Sequence, residues 1–121
     1  MNRYTHRQFG RRALAVAYHA ASWSGAENLA KAAYDEFGRV DVLVNNAGMS
    51  PLYPSLVDVT EDLYDKVLGV NLKGPFRLSA LIGTHIVQSG RTGSIINVSS
   101  IASRRPSPNE VVYGAAKAAI N

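Results

Sequence analysis

The chain contains no cysteine, which excludes disulfide bridges and thiolate-held metals. That absence suits a reducing compartment, and the cytoplasm is the expected location. No apolar run approaches the roughly 18 residues that a membrane-spanning helix needs. The three histidines, His6, His19 and His85, stand at separations that match no metal-ligand pattern, so no metal site is expected. There is no internal repeat and no low-complexity tract. The first twelve residues hold no Asp or Glu, yet they carry Arg3, Arg7, Arg11 and Arg12. The net charge of +4 is therefore a property of this head, because nine basic and nine acidic residues balance in the remainder. A neutral body without a basic, aromatic-interleaved stripe argues against nucleic-acid binding. At 121 residues, 46% of them hydrophobic, the chain makes at most one domain with a modest core.

What is present alternates between strand and helix patterns. Ala13–Tyr18 reads as a strand. Ser24-Gly25-Ala26-Glu27 has the form of a capping box. It opens a helix with Ala26, Leu29, Ala30, Ala33 and Phe37 on one face, and Gly38 ends it. Val40–Asn45 is the next strand, and the loop 49–58 contains Pro51 and Pro54. Thr60 caps a long helical stretch to about Ser89, interrupted near Asn71–Pro75. The β-branched run Ser94–Ser99 is a third strand. A loop with Pro106 and Pro108 leads to a last helix from about Asn109. Strands alternating with helices in the order β-α-β-α-β-α imply a parallel sheet of the α/β class.

The last helix carries Tyr113 and, four residues on, Lys117. Residues four apart share a helix face. A free phenol, with a pKa of about 10, is a poor acid–base group at neutral pH. A neighbouring ammonium favours the phenolate, and a shift of roughly 3 units corresponds to about 4 kcal/mol. Ser100 ends the apolar run Ile95-Ile96-Asn97-Val98-Ser99, and Asn45-Asn46-Ala47-Gly48 follows another. Ligands of open α/β sheets sit outside such carboxyl ends.

Together these residues identify a resemblance to the short-chain dehydrogenase/reductase superfamily. The motifs that carry it are Asn45-Asn46-Ala47-Gly48 after a strand, Asn71 in Val70-Asn71-Leu72-Lys73-Gly74, Ser100 after Ile95–Val98, and Tyr113 with Lys117. The resemblance runs from about Ala13 to Asn121. It implies a partial Rossmann-like, doubly wound parallel sheet over 13–121, the middle portion of the family's domain. The basic head 1–12 is expected to be disordered. Arg11-Arg12 followed by Ala13–Tyr18 faintly resembles a targeting segment. The run is short, however, and falls in register with the family's third strand.

The resemblance also implies roles. Tyr113 would be the general acid–base on the substrate oxygen. Lys117 would favour the phenolate and bond the nicotinamide ribose. Ser100 would polarise the carbonyl. Ser99 points to the opposite side of the strand, and the thirteen-residue offset to Tyr113 favours Ser100. Asn71 would link a proton relay behind Lys117. Asn46, Ala47 and Gly48 would line the cofactor, while Asn45 would serve the sheet. His19 stands where the family often has Asp or Asn near the adenine, and imidazole could stack or donate there. The cofactor would be NAD or NADP, with no preference legible, and the substrate a small carbonyl/alcohol pair. Full-length relatives would be homo-oligomers, dimers or tetramers.

The departures are large. No Gly-x-x-x-Gly-x-Gly phosphate turn appears anywhere in the sequence. The family would also continue past Asn121. The expectation is a fragment with little activity alone. The alternative is a non-catalytic truncated module that associates with full-length subunits.

Overall fold

Two short parallel strands organise the structure, a computed structural model in which residues 10–121 are described. The elements are α1 (Trp23–Phe37), β1 (Val42–Asn45), α2 (Glu61–Leu68), α3 (Gly74–Gln88), β2 (Ser94–Asn97) and α4 (Val111–Ala119). A single π-helical turn, Gly69–Lys73, joins α2 to α3, and short 3₁₀ turns occupy Leu56–Asp58 and Ile101–Ser103. β1 and β2 pair in register from Val42↔Ser94 to Asn45↔Asn97. Both strands therefore deliver their carboxyl ends, 46–48 and 98–100, to the same edge.

Thr60 and Gly38 do what their chemistry suggests. The Thr60 hydroxyl accepts from the Leu63 N–H at 3.2 Å, which starts α2. Gly38 stops α1 in the left-handed region at φ 75°, and its N–H donates to Tyr34 O. The expected capping box at Ser24 is corrected. Ser22 is the cap, its Oγ accepting from Gly25 N–H at 3.0 Å, and α1 starts one residue later. A turn bond from Ser22 N–H to His19 O sets the chain's entry, so Ser22 and not Ser24 reaches the free N–H groups. Glu27, the distal half of the supposed box, instead pairs with Arg77 on α3.

The expected strand Ala13–Tyr18 is also corrected, since residues 11–19 form no assigned strand. Accessibility still alternates there, with Leu14, Val16 and Tyr18 half-covered and the intervening alanines exposed. The side chains follow a period of two, but a strand is defined by its ladder. Among the described residues β1 and β2 pair only with each other. Most of the basic head lies outside the described residues. Its last member is docked, because Arg12 pairs with Glu36 at 2.6 Å and lies over the Phe37 ring.

The interruption near Asn71 is the π turn. Pro75 lacks an N–H, and its ring would clash with the carbonyl four residues back in an unbroken α-helix. Widening the turn, so that the Gly74 N–H donates to Gly69 O, carries the chain past the proline. Beyond it Gly74, Pro75, Leu78 and Ile82 make the buried stripe of α3. Ala26 and Ala30 of α1 are the small buried partners that let the two helices approach. A second cluster joins Tyr53, Val67 and Val112 across the 49–59 loop, α2 and α4, with Tyr113 packed on its margin.

Helices cover one face of the sheet. Asn45 donates to Ser79 Oγ of α3 at 3.0 Å and to Asn97 Oδ1 at 2.9 Å. Alternation sends Val42, Val44, Ile96 and Val98 to the other face, where all four are exposed.

Candidate active site

The site is assembled from the carboxyl ends of β1 and β2, the π turn and α4. Asn71 is fully buried at the centre of the π turn. Its amide donates to Met49 O and to Val67 O, each at 2.8 Å, and its Oδ1 accepts from Met49 N–H at 3.3 Å. The side chain thus satisfies three backbone groups and ties the loop after β1 to the helix. Gly48 lies against it. A methyl group placed on Gly48 would meet Asn71 Oδ1 at 3.1 Å and Lys117 Nζ at 3.5 Å. Asn71 Oδ1 and Lys117 Nζ, widely separated in sequence, therefore both lie close to Gly48.

Lys117 is only 3% exposed. Its Nζ donates to Val98 O, the end of the β2 run, at 2.7 Å, which leaves two N–H donors free. The same Nζ lies 5.7 Å from the centre of the Tyr113 ring. The Tyr113 hydroxyl makes no hydrogen bond to the described residues. It is available to a ligand.

The two serines separate clearly. Ser99 Oγ donates to Lys117 O at 3.3 Å and helps fasten α4 to the sheet end. Ser100 Oγ accepts from Ala102 N–H at 3.2 Å as the cap of the 3₁₀ turn. That bond uses a lone pair and leaves the hydroxyl proton free to donate. Asn46, Ala47 and Gly48 are exposed on the adjoining loop. Asn46 and Ala47 line a cavity with Tyr18, Ala20 and Pro75. His19, between two of those residues, is exposed and does not line it. Its Nδ1 accepts from Ala21 N–H at 3.3 Å, so its visible task is to shape the turn before α1. Sequence reasoning did not find the Val98 carbonyl or Tyr53, whose hydroxyl accepts from Val112 N–H at the start of α4. Backbone acceptors carry no residue signature, and Tyr53 has no lysine partner to single it out.

Burial pulls the Lys117 ammonium below the ordinary lysine value. At low pH the folded protein carries the whole cost of this buried charge. Between the lowered folded pKa and the unfolded value near 10.5 the unfolded chain binds more protons, so stability rises with pH. Thermal unfolding of wild type and Lys117→Met from about pH 7 to pH 10 reads the effect as a difference. The wild type should gain on the variant as pH rises. A constant difference would count against a buried, proton-releasing amine.

The sequence model of the short chain dehydrogenase family matches residues 3–121. The chain is 44% identical over 94 residues to L-rhamnose 1-dehydrogenase (NAD(P)(+)) of Azotobacter vinelandii, covering 78% of this chain and 36% of that protein. A crystal structure of a proposed short-chain alcohol dehydrogenase from Sinorhizobium meliloti superposes with a TM-score of 0.85 at 35% identity, covering 92% of this chain and 43% of the other. A 4-hydroxyisoleucine dehydrogenase complexed with NADH gives a TM-score of 0.81 at 28% identity, covering 87% and 46%. The chain spans less than half the length of each of these proteins.

Proposed function

Because the chain belongs to the short-chain dehydrogenase family, whose cofactor is NAD or NADP, we propose that its site is the proton-handling half of an oxidoreductase that interconverts a carbonyl and an alcohol. One observation carries the reading. Lys117, buried at the strand ends, lies close to the Gly48–Asn71 corner and sits beside the ring of a tyrosine whose hydroxyl is uncommitted.

In reduction Tyr113 gives its proton to the substrate oxygen, and in oxidation the phenolate takes it back. The ammonium of Lys117 stabilises that phenolate. Ser100 holds the substrate oxygen with its free O–H, which also polarises the carbonyl. Asn71 keeps the Met49 backbone and the Gly48 corner in place, and a water-mediated proton relay would run past it behind Lys117. When bound, the nicotinamide supplies the hydride in reduction and accepts it in oxidation.

The residues fit one end of that cofactor. The two free N–H donors of Lys117 suit ribose hydroxyls, and the small Asn46–Gly48 loop suits a flat ring. His19 would lie toward the adenine. The pyrophosphate has no counterpart, since the sequence holds no glycine-rich turn at a helix N-terminus. The chain alone is therefore expected to bind NADH and NADPH weakly and to turn over little.

A chimera gives the direct test. The aligned segment of the Azotobacter dehydrogenase would be replaced by the matching residues of this chain. The expected product folds, binds NAD(P) and reduces carbonyl compounds. A folded, cofactor-binding chimera without dehydrogenase activity would overturn the proposal.

A second reading rests on the bare sheet face of Val42, Val44, Ile96 and Val98. An apolar surface of that kind suits a non-catalytic module that associates with full-length relatives, which would be dimers or tetramers. An inert chimera together with stable co-purification of this chain and a relative would favour it.

A further inference from the structure

Beside Ser100 the chain carries a cation that the proton chemistry does not use. Ser99, Ser100, Ile101, Ser103, Arg104 and Asn121 line one open cavity of about 490 Å³. No Asp or Glu is among them. Arg104 has no hydrogen bond or ion pair from its side chain to the described residues. Elsewhere Arg12, Arg39 and Arg77 each hold a carboxylate. An exposed arginine is ordinarily a solvated surface group. Arg104 differs in that it shares a cavity with the serine expected to hold the reacting oxygen.

Its backbone is also fixed. The Arg104 and Arg105 N–H groups both donate to Ile101 O at 3.0 Å, closing the 3₁₀ turn that starts at Ser100. Gly114 of α4 clamps this loop, because a methyl there would come within 2.6 Å of Ala102 O and 2.7 Å of Pro106 Cβ. The turn folds back on itself, since the Ser103 N–H donates to Ser100 O at 3.0 Å, and Arg104 follows directly. A guanidinium there presents a planar fork suited to a carboxylate or phosphate.

We propose that Arg104 is a specificity residue that selects substrates bearing an oxoanion, a carboxylate or a phosphate, a few bonds from the reacting carbonyl. This rests on the oxidoreductase reading for the identity of the reacting centre. The anion site itself does not need turnover to be tested.

The experiment is a titration of the purified chain, followed by amide NMR shifts, with two matched pairs of ketones. Levulinate and its methyl ester differ by a carboxylate, and dihydroxyacetone phosphate and dihydroxyacetone differ by a phosphate. The expected result is about 5- to 20-fold tighter binding of the anionic member of at least one pair, weakening with added salt. Which pair discriminates tells carboxylate from phosphate. Arg104→Gln should abolish the preference, and Arg105→Gln should keep it. Equal affinity within both pairs, no binding of any probe, or a preference that survives Arg104→Gln would overturn the proposal. If the preference holds while the chimera is inert, the anion site stands and the dehydrogenase reading falls.

Discussion

Gly74→Ala is expected to leave no cooperatively folded population. A Cβ at this position would overlap the carbonyl oxygen of Ala20 and lie 2.9 Å from its carbon. Both are backbone atoms, so no rotamer change relieves the clash. Gly74 is the first residue of α3, immediately after the π turn, and the segment it meets leads into α1. To admit a methyl group, α1 and α3 must separate, and the Ala26, Ala30 and Leu78 contacts open with them. Overpacking costs roughly 1–3 kcal/mol when side chains can yield, and more when they cannot. Alanine's better helix propensity returns about 1 kcal/mol at most. Small domains have only about 5–15 kcal/mol to lose, and a two-stranded sheet with a bare face lies at the low end. Far-UV circular dichroism through a urea titration reads the result. Gly83→Ala is the control, since its added methyl meets only Ile95 Cδ1, at 3.4 Å, an ordinary contact. It should be neutral or slightly stabilising. Equal behaviour of the two variants would remove the close approach at Gly74 from the account.

The same contrast shows which parts of the fold were legible in the sequence. Thr60, Gly38 and the apolar runs before Asn45 and Asn97 act through local chemistry, and their elements formed where expected to within about two residues. Ala13–Tyr18 has a strand's alternation but no assigned ladder, because pairing belongs to two segments and only one is written there. Ser22 displaced Ser24 as a cap because the entry angle of the chain, set by the His19 carbonyl, decides which hydroxyl reaches an N–H. Pro75 announced an interruption but not its form. That the break is a π turn, with Asn71 bonded into the wall of the site, depends on contacts to Met49 twenty-two residues away. Spacing placed Tyr113 and Lys117 on one helix face, but it took Ser100, Asn71 and Asn46–Gly48 beside them to single the pair out. The burial of Lys117 against Val98 was not, since it requires β2 and α4 to be packed together.

Tyr113→Phe, made in the chimera, should reduce kcat/KM for carbonyl reduction by about 10²- to 10⁴-fold, the usual worth of a positioned acid–base group. Its informative property is what it should leave alone. The ring packs beside the Tyr53, Val67 and Val112 cluster, and phenylalanine keeps that contact. The hydroxyl bonds to none of the described residues, so removing it leaves no protein donor or acceptor unpaired. Unfolding free energies of variant and parent should therefore agree within about 0.5 kcal/mol. Lys117→Met is the counterpart with mixed consequences. It removes a buried charge but also strands the Val98 carbonyl that now accepts at 2.7 Å. A loss of rate there would come with a change in stability and in the pH dependence of the rate, which tracks the phenolate that Lys117 supports. The pair separates chemistry from architecture. Rate lost without stability in Tyr113→Phe assigns the proton to Tyr113. A Tyr113→Phe chimera that keeps more than roughly a tenth of the parent rate would place the acid–base group elsewhere, whatever Lys117→Met does.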